Sequence, residues 1–487
     1  MKHTHIFRKL VATFLVMATM LPVFACTPRK QGKATPNPTA AIETPEPDLT
    51  PYKGDGSEYV SIYTDERDKA CEADIVKLAD VFLNPYNGHA KLADIETPVR
   101  SYTYPSSYEY ATENFYDPEL RNEFLKKINE LIISVPELTE FEIIAGLAET
   151  VALLKEGHSV VDILSKKMFP LGLTPIFNEN GVEFYATRVN NSDADCLMAR
   201  LDAINGISTN EILERMRPFI SYEVDSYFYS RASYNILGWS ILNHIDVIDD
   251  SDSAVFSFTD AFGKSFEKEF KAIEYDEQAI SEAIPYLVYT FGEVDRDYSL
   301  LNTRYLIGNF EYRYLKDETV LYIRISQCTW DGRDVVSEMF EKIHAENKDL
   351  ESIIIDFRHN GGGYVDYVPP FIVQLQKMDE SIKKYILIDE AVYSGAIISA
   401  ACIRRAFENA TLVGVPGGSP VSEIFCTNPD GVELPYLGTK FYCGRSPCYN
   451  CWPGYEHDVL TPDRIIYQTY EDYLNGVDTV MKALLSE

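Results

Sequence analysis

A serine that opens a helix just after a buried strand is well placed to attack a carbonyl carbon, and Ser394 occupies such a place. It lies in Y-S-G-A (393–396), between the apolar run K-Y-I-L-I-D (384–389) and a helix expected from about Gly395 to Phe407. Unpaired N–H groups at a helix start favour developing negative charge. A second loop, Asn360-Gly361-Gly362-Gly363, follows the buried strand S-I-I-I-D (352–356). Consecutive glycines allow close backbone approach and expose amides. The Gly395 amide on one side, with Gly361 or Gly362 on the other, could form an oxyanion hole. A Ser hydroxyl also needs a base within hydrogen-bond reach. His158, just past an expected helix stop at Gly157, is a candidate for that base, and His359 and His457 are rivals. Asp356 and Arg358 are read as fixing the glycine loop through hydrogen bonds, and Asn360 as tolerating its bend. Taken singly, each feature has a plainer reading: a turn, or an N-cap serine.

The elements that must position these groups fall into three regions. Residues 57–165 have helical patterning. Thr139 and Glu142 form a capping-box pair, and Ile143, Leu147, Val151 and Leu154 repeat at the spacing of one helix face. Residues 166–295 read as short strands and loops, a small β-rich domain. Within it L-D-A-I-N-G-I-S followed by N-E-I-L predicts strand, Asn-Gly turn and helix start. From 296 to 487 strands alternate with helices, which indicates a mainly parallel sheet covered on both faces. Such sheets place their sites in loops after the carboxyl ends of strands.

The chain's beginning reads as a targeting segment. Lys2, Arg8 and Lys9 precede an apolar stretch of sixteen residues, Leu10 to Ala25, which suits a signal peptide. The stretch ends in V-F-A-C, so residues 1–25 resemble a lipoprotein signal with Cys26 as the lipidated residue. Residues 26–56, rich in proline, read as an extended tether. The expected location is therefore extracytoplasmic, anchored by lipid to the outer face of a bacterial membrane. The formal charge of −31 becomes −34 without the leader, which argues against nucleic acid as a partner. Cys426, Cys443, Cys448 and Cys451 cluster late. Zinc is conceivable at that spacing; in an exported protein disulfides are favoured, and free thiols are the alternative in a source that lives without oxygen.

The run I-I-I-D-F-R-H-N-G-G-G, then V-Y-S-G-A, then V-G-V-P-G-G, resembles the tail-specific (C-terminal-processing) and tricorn-type serine peptidases. So do A-L-L-K-E-G-H-S-V at 152–160 and L-T-P-D-R-I-I near the end, in the family's order over roughly residues 120 to 485. The resemblance implies an α/β core like that of ClpP and crotonase, with a PDZ-like domain for which residues 166–295 are the candidate. One branch of the family activates Ser with a Lys placed after V-G-x-P, but this chain has no Lys between Lys384 and Lys440. The tricorn-like branch uses an upstream His and a Glu, and E-H-D-V-L-T-P-D puts Glu456 at the latter position. The resemblance thus implies Ser394 as nucleophile, His158 as base and Glu456 as the accompanying carboxylate. A helper Ser precedes the His in tricorn-type sites; here that position is Gly157, and Ser159 follows.

The activity implied is hydrolysis of peptide bonds in unfolded or C-terminally exposed polypeptide through an acyl-enzyme on Ser394, with no metal or organic cofactor. The rival readings are an inactive peptide- or ligand-binding module on the same fold and an acyl-transfer esterase.

Overall fold

The computed structural model describes residues 52–94, 97–103, 107–113, 115–163, 165–275, 287–288, 308–421, 424–427, 430–448 and 459–487. The expected signal segment and Cys26 lie outside these, as do Glu456, His457 and Cys451. Residues 51–487 form one compact unit. Among the described residues no helix is long and apolar enough to cross a membrane.

Three helices open the unit: α1 (Glu66–Leu83), α2 (Pro118–Ser134) and α3 (Glu140–Ala152). The expected capping box starts α3. The Thr139 hydroxyl accepts from the Glu142 amide, and the Glu142 carboxylate accepts from the Thr139 amide at 2.7 Å. Its stripe of Ile143, Leu147 and Val151 is buried with Phe124 and Ile128 of α2. The helix stops at Ala152 rather than at Gly157, because the chain turns through Lys155 at a left-handed φ of 47°. His158 consequently sits in a loop, ahead of the short strand β1 (Val160–Val161).

The next region is a seven-stranded antiparallel sheet. Its main members are β2 (Gly172–Asn178), β3 (Gly181–Val189), β4 (Arg200–Ile204), β5 (Ile207–Ser208), β6 (Ser253–Thr259) and β7 (Ser265–Lys271). The Asn-Gly turn falls where expected: Asn205 and Gly206 have φ of 48° and 78° and join β4 to β5. Ser208 then caps α4 (Thr209–Met216). Two further helices, α5 (Asp225–Asn235) and α6 (Trp239–His244), follow in a region where the helix after the Asn-Gly turn was the one helix expected. Both pair buried apolar residues (Phe228 and Ala232, Ile241 and Leu242) with polar neighbours, a weak helical signal over so few turns.

The core sheet has six strands: β8 (Phe310–Leu315), β9 (Val320–Ile325), β10 (Ser352–Asp356), β11 (Lys383–Ile388), β12 (Ala410–Gly414) and, beyond strand β13 (Thr439–Tyr442), β14 (Arg464–Ile465). The β8–β9 pair is antiparallel; the others are parallel. Helices α7 (Gly332–Glu346), α8 (Val368–Gln376) and α9 (Gly395–Ala406) pack on one face through Phe340, Phe371 and Ile397 against Ile323, Ile355 and Ile386. The opposite face, with Tyr322, Ile354 and Leu387, is covered by Val480, Met481 and Leu484 of α10 (Thr479–Leu485). Alternate residues of each strand thus enter different apolar layers, as a two-faced parallel sheet requires.

A buried ionic cluster ties this sheet to α10. Asp356 accepts from Arg358 at 2.6 Å, Arg324 at 3.0 Å and the Tyr322 hydroxyl at 2.8 Å. Arg358 reaches Asp478, the N-cap of α10, at 2.7 Å. Burial pushes the Asp356 carboxyl up, but the charges of Arg358 and Arg324 outweigh it and hold it well below the ordinary carboxylate range. Arg358 therefore anchors the C-terminal helix, and the glycine loop is fixed by other groups. Cys443, expected among disulfide-bonded residues, is a buried free thiol, as are Cys71, Cys196, Cys328 and Cys402. Burial raises the Cys443 thiol, so it stays protonated.

Candidate active site

Ser394 is the N-cap of α9 and has φ 52°, ψ −125°, a conformation that L residues rarely adopt. The strain is held by hydrogen bonds on either side. The Tyr393 amide donates to the Asn360 carbonyl at 3.0 Å, and the Ala396 amide to the Tyr393 carbonyl at 3.1 Å. The turn lifts the Ser394 side chain off the end of β11, much as the strand-turn-helix elbow of other serine hydrolases does.

Asn360 organises the facing loop. Its side chain donates to the Ile325 carbonyl at 2.9 Å and accepts from the Gly362 amide at 2.9 Å. The loop's bend falls on His359, at φ 62°, and not on Asn360. The Gly362 amide is thus already engaged and does not face a ligand, a correction to its expected oxyanion role. Gly362 matters for proximity: at φ +103°, a Cβ there would lie 2.7 Å from the Gly395 nitrogen. The Gly361 and Gly395 amides have no hydrogen-bond acceptor among the described residues, which leaves both open to a ligand oxygen.

The base comes from far away in sequence. His158 Nε2 lies 2.9 Å from Ser394 Oγ, across 236 positions of chain. Its loop is held by β1, which pairs with β13, and by the Ser159 hydroxyl, which accepts from the Gly444 amide at 2.9 Å. Ser159 is thus engaged in holding the loop. Gly157 leaves no room for the helper serine: a Cβ there would meet the Tyr393 hydroxyl at 2.5 Å. That hydroxyl takes the place, 3.1 Å from His158 Nδ1.

The orienting carboxylate beside the imidazole is Glu156, which the sequence reading passed over. Its Oε1 is 2.9 Å from His158 Nδ1 and accepts the His158 amide at 2.7 Å. Its other oxygen lies 3.9 Å from Nε2 of His89, itself completely buried. The Lys91 amide donates to His89 Nδ1, so the ring proton sits on Nε2, the nitrogen nearer Glu156. Burial pushes the Glu156 carboxyl up, but its hydrogen bond to His158 and the nearby His89 imidazole outweigh this and hold it ionised. His89, by contrast, is pushed down by burial and stays neutral. A carboxylate two residues before a histidine, E-G-H, was the available signal; the left-handed turn that aims it was not legible.

A second carboxyl, Glu223, accepts from the Tyr393 hydroxyl at 2.7 Å. Burial and the charge of Glu156 raise its pKa. Tyr393 stacks on Tyr227 with centroids 4.1 Å apart, and Arg231 lies over Tyr227 and donates to the Gly157 carbonyl at 2.8 Å. Ligand atoms of Glu156, His158 and Glu223 lie within 4.8 Å of one another, a metal-compatible spacing. The direct imidazole–carboxylate hydrogen bond instead makes this the arrangement of a serine–histidine–carboxylate triad. Of the rival bases, His359 pairs with Asp389 and His457 lies outside the described residues.

Residues 319–384, spanning β9 to the start of β11 with the glycine loop between, match the model of peptidase family S41. The fold is similar to that of mature CPAF, at TM-score 0.54 and 12% identity, covering 86% of this chain and 96% of that one. Mature CPAF complexed with lactacystin gives the same score and identity, covering 86% and 97%. The photosystem II D1 C-terminal processing protease also matches, at 8% identity over 85% and 97%, but its TM-score of 0.37 is too low to bear on the fold. A search of curated proteins finds no match. The match to family S41 over residues 319–384, together with the fold, supports a tail-specific, S41-type peptidase family for the chain. It is a serine-type peptidase.

Proposed function

We propose that this chain is an exported serine endopeptidase that cuts unfolded or C-terminally exposed polypeptide through an acyl-enzyme on Ser394. The observation that carries the reading is the 2.9 Å contact between Ser394 Oγ and His158 Nε2. In the proposed cycle Ser394 Oγ attacks the scissile carbonyl carbon while His158 Nε2 takes its proton. The oxyanion is received by the Gly361 and Gly395 amides. His158 then gives the proton to the leaving amine, and a water deprotonated by His158 hydrolyses the acyl-enzyme. Glu156 holds the imidazole with Nδ1 protonated and offsets the charge it gains. The Ser–His–carboxylate set favours the tricorn-type branch over a Ser–Lys one. Glu456 remains a candidate for a further carboxylate.

The leader pattern supports lipidation at Cys26 and display on the outer face of the membrane, with residues 26–56 as tether. The sheet of residues 166–295 is read as the PDZ-like domain, able to add a peptide as an extra strand, and residues 296–487 as the ClpP/crotonase-like core. The test is digestion of casein by residues 51–487 beside its Ser394→Ala variant. Cleavage by the parent alone supports the reading. An inert pair points to a binding module, and cleavage of esters but not of casein points to an esterase. Lactacystin, found in complex with CPAF, is a suitable probe of Ser394.

A further inference from the structure

We propose that His89 is a positioning residue of the active site, a second imidazole placed behind Glu156 that keeps the triad carboxylate ionised. The inference rests on the reading of Ser394 and His158 as the reacting pair, and it extends the line Ser394–His158–Glu156 by one member.

The loop after α1 holds His89 from several sides. Its amide donates to the Phe82 carbonyl at 2.9 Å, and its carbonyl accepts from the Leu92 and Ala93 amides, each at 2.9 Å. The ring stacks on Phe425 with centroids 4.7 Å apart, and its Nδ1 accepts from the Lys91 amide at 3.1 Å. The backbone, one ring face and one ring nitrogen are thus fixed. The remaining nitrogen, Nε2, lies 3.9 Å from Glu156 Oε2.

That oxygen is in a dry place. The His89 and Glu156 side chains are 0% and 1% exposed, and neither Nε2 nor Oε2 has a hydrogen-bond partner among the described residues. Gly444 walls the other side, where a Cβ would come within 2.5 Å of Oε2. A buried carboxylate oxygen with no donor is costly, and the cost falls on the ionised form. The separation is longer than a hydrogen bond, so the support is that of an N–H dipole for a charge, which a low-dielectric interior screens little.

The other groups around Glu156 do not replace this support. Ionised Glu223 would oppose the charge, and burial keeps the Cys443 thiol and the Tyr393 hydroxyl protonated. The Lys91 ammonium is turned to the Leu154 carbonyl, at 3.3 Å, and Arg231 to the Gly157 carbonyl. His158 and His89 are the groups that favour the carboxylate. His89 therefore acts on Ser394 through Glu156 and His158, without touching the reacting atoms.

The active pair is neutral His158 beside ionised Glu156. Removing the His89 donor makes that state less favourable, so the pair should take up its proton at higher pH. The test is a histidine titration by NMR of the full chain carrying isotope-labelled histidine. In wild type His89 is expected as the Nε2–H tautomer, without titrating between acid and neutral pH. His89→Leu should raise the apparent pKa of the His158–Glu156 pair by about half a pH unit or more, roughly threefold in proton affinity. His89→Gln, whose amide can again offer an N–H to Oε2, should restore most of the difference. The rate at which diisopropyl fluorophosphate modifies Ser394, with fluoride leaving, should show the same upward shift of its acidic limb.

An Nδ1–H tautomer at His89, an unmoved pair in His89→Leu, or equal shifts in the Leu and Gln variants overturns the inference. Should His89→Leu fail to fold, the tautomer and titration of His89 in wild type decide. Failure of wild type to react with the fluorophosphate would count against Ser394 as nucleophile, and the histidine titration would still judge His89 by itself.

Discussion

The Glu156 carboxylate and the His158 imidazole meet at 2.9 Å although only one residue separates them in the chain. A contact so local is made by backbone shape: the left-handed turn at Lys155 and the glycine at 157 fold the loop until both side chains face inward. The carboxylate is 1% exposed, so its hydrogen bond is made in a low-dielectric setting and fixes the imidazole tautomer firmly. Glu156→Gln should lower kcat by roughly 10²–10⁴-fold with KM little changed, because the amide favours the wrong tautomer. The acidic limb of the pH–rate profile should shift as well, which a merely structural role would not produce. Glu456→Gln should lower kcat by less than Glu156→Gln does. The reverse pattern in steady-state kinetics would give the orienting role to Glu456.

How much of this was legible in the sequence differs by element. The β9–β12 strands, α9 and the capping box of α3 were readable because each depends on local pattern. The Asn205-Gly206 turn was readable for the same reason. Ser394 and His158 were identified by motif, and the sheet and the β1–β13 pairing bring them together. What escaped was set by tertiary packing. Glu156 and His89 come within 3.9 Å only because the loops that follow α1 and α3 meet in the fold, and Glu223 arrives from the loop before α5. Gly362 was read as an amide donor, yet the Asn360 side chain claims that amide. Nothing in a run of three glycines shows which of them will be claimed.

The Asp356 cluster makes a stability prediction. Asp356→Asn leaves Arg324 and Arg358 buried with half their counter-charge gone, and should cost about 3–5 kcal/mol of unfolding free energy. Because the Asp356 pKa is depressed in the folded state, its contribution is present above the ordinary carboxyl value of about 3.9 and fades as pH falls through the folded value. Urea denaturation from neutral pH downward should show wild type and variant converging only in strong acid. Equal stability at neutral pH would remove the cluster from the account of how α10 is held.

Gly361 and Gly362 should respond oppositely to alanine. At Gly362 a Cβ would fall 2.7 Å from the Gly395 nitrogen and from the Tyr393 carbonyl oxygen, at φ +103°. Gly362→Ala should therefore destabilise by about 2–4 kcal/mol and abolish turnover by pushing the two loops apart. At Gly361 a Cβ meets nothing within 4 Å. Gly361→Ala keeps its amide and should change stability by no more than about 0.5 kcal/mol. Thermal unfolding and casein digestion of both variants check the contrast.

Glu223 gives a pH-dependent signature of opposite sign to Asp356. Its carboxyl is raised in the folded state by burial and by the Glu156 charge, so the folded chain holds that proton more tightly than the unfolded one. The contribution is complete below the ordinary carboxyl value of about 4.3 and is lost as pH rises through the folded value. Glutamine keeps a neutral side chain at every pH and can still accept from the Tyr393 hydroxyl. The stability of Glu223→Gln relative to wild type should accordingly rise as pH climbs above about 4 and level off once wild-type Glu223 is ionised. Urea unfolding of the two proteins across that range measures the slope directly. A flat difference would mean that Glu223 titrates as in the unfolded chain, and that Glu156 is not ionised beside it.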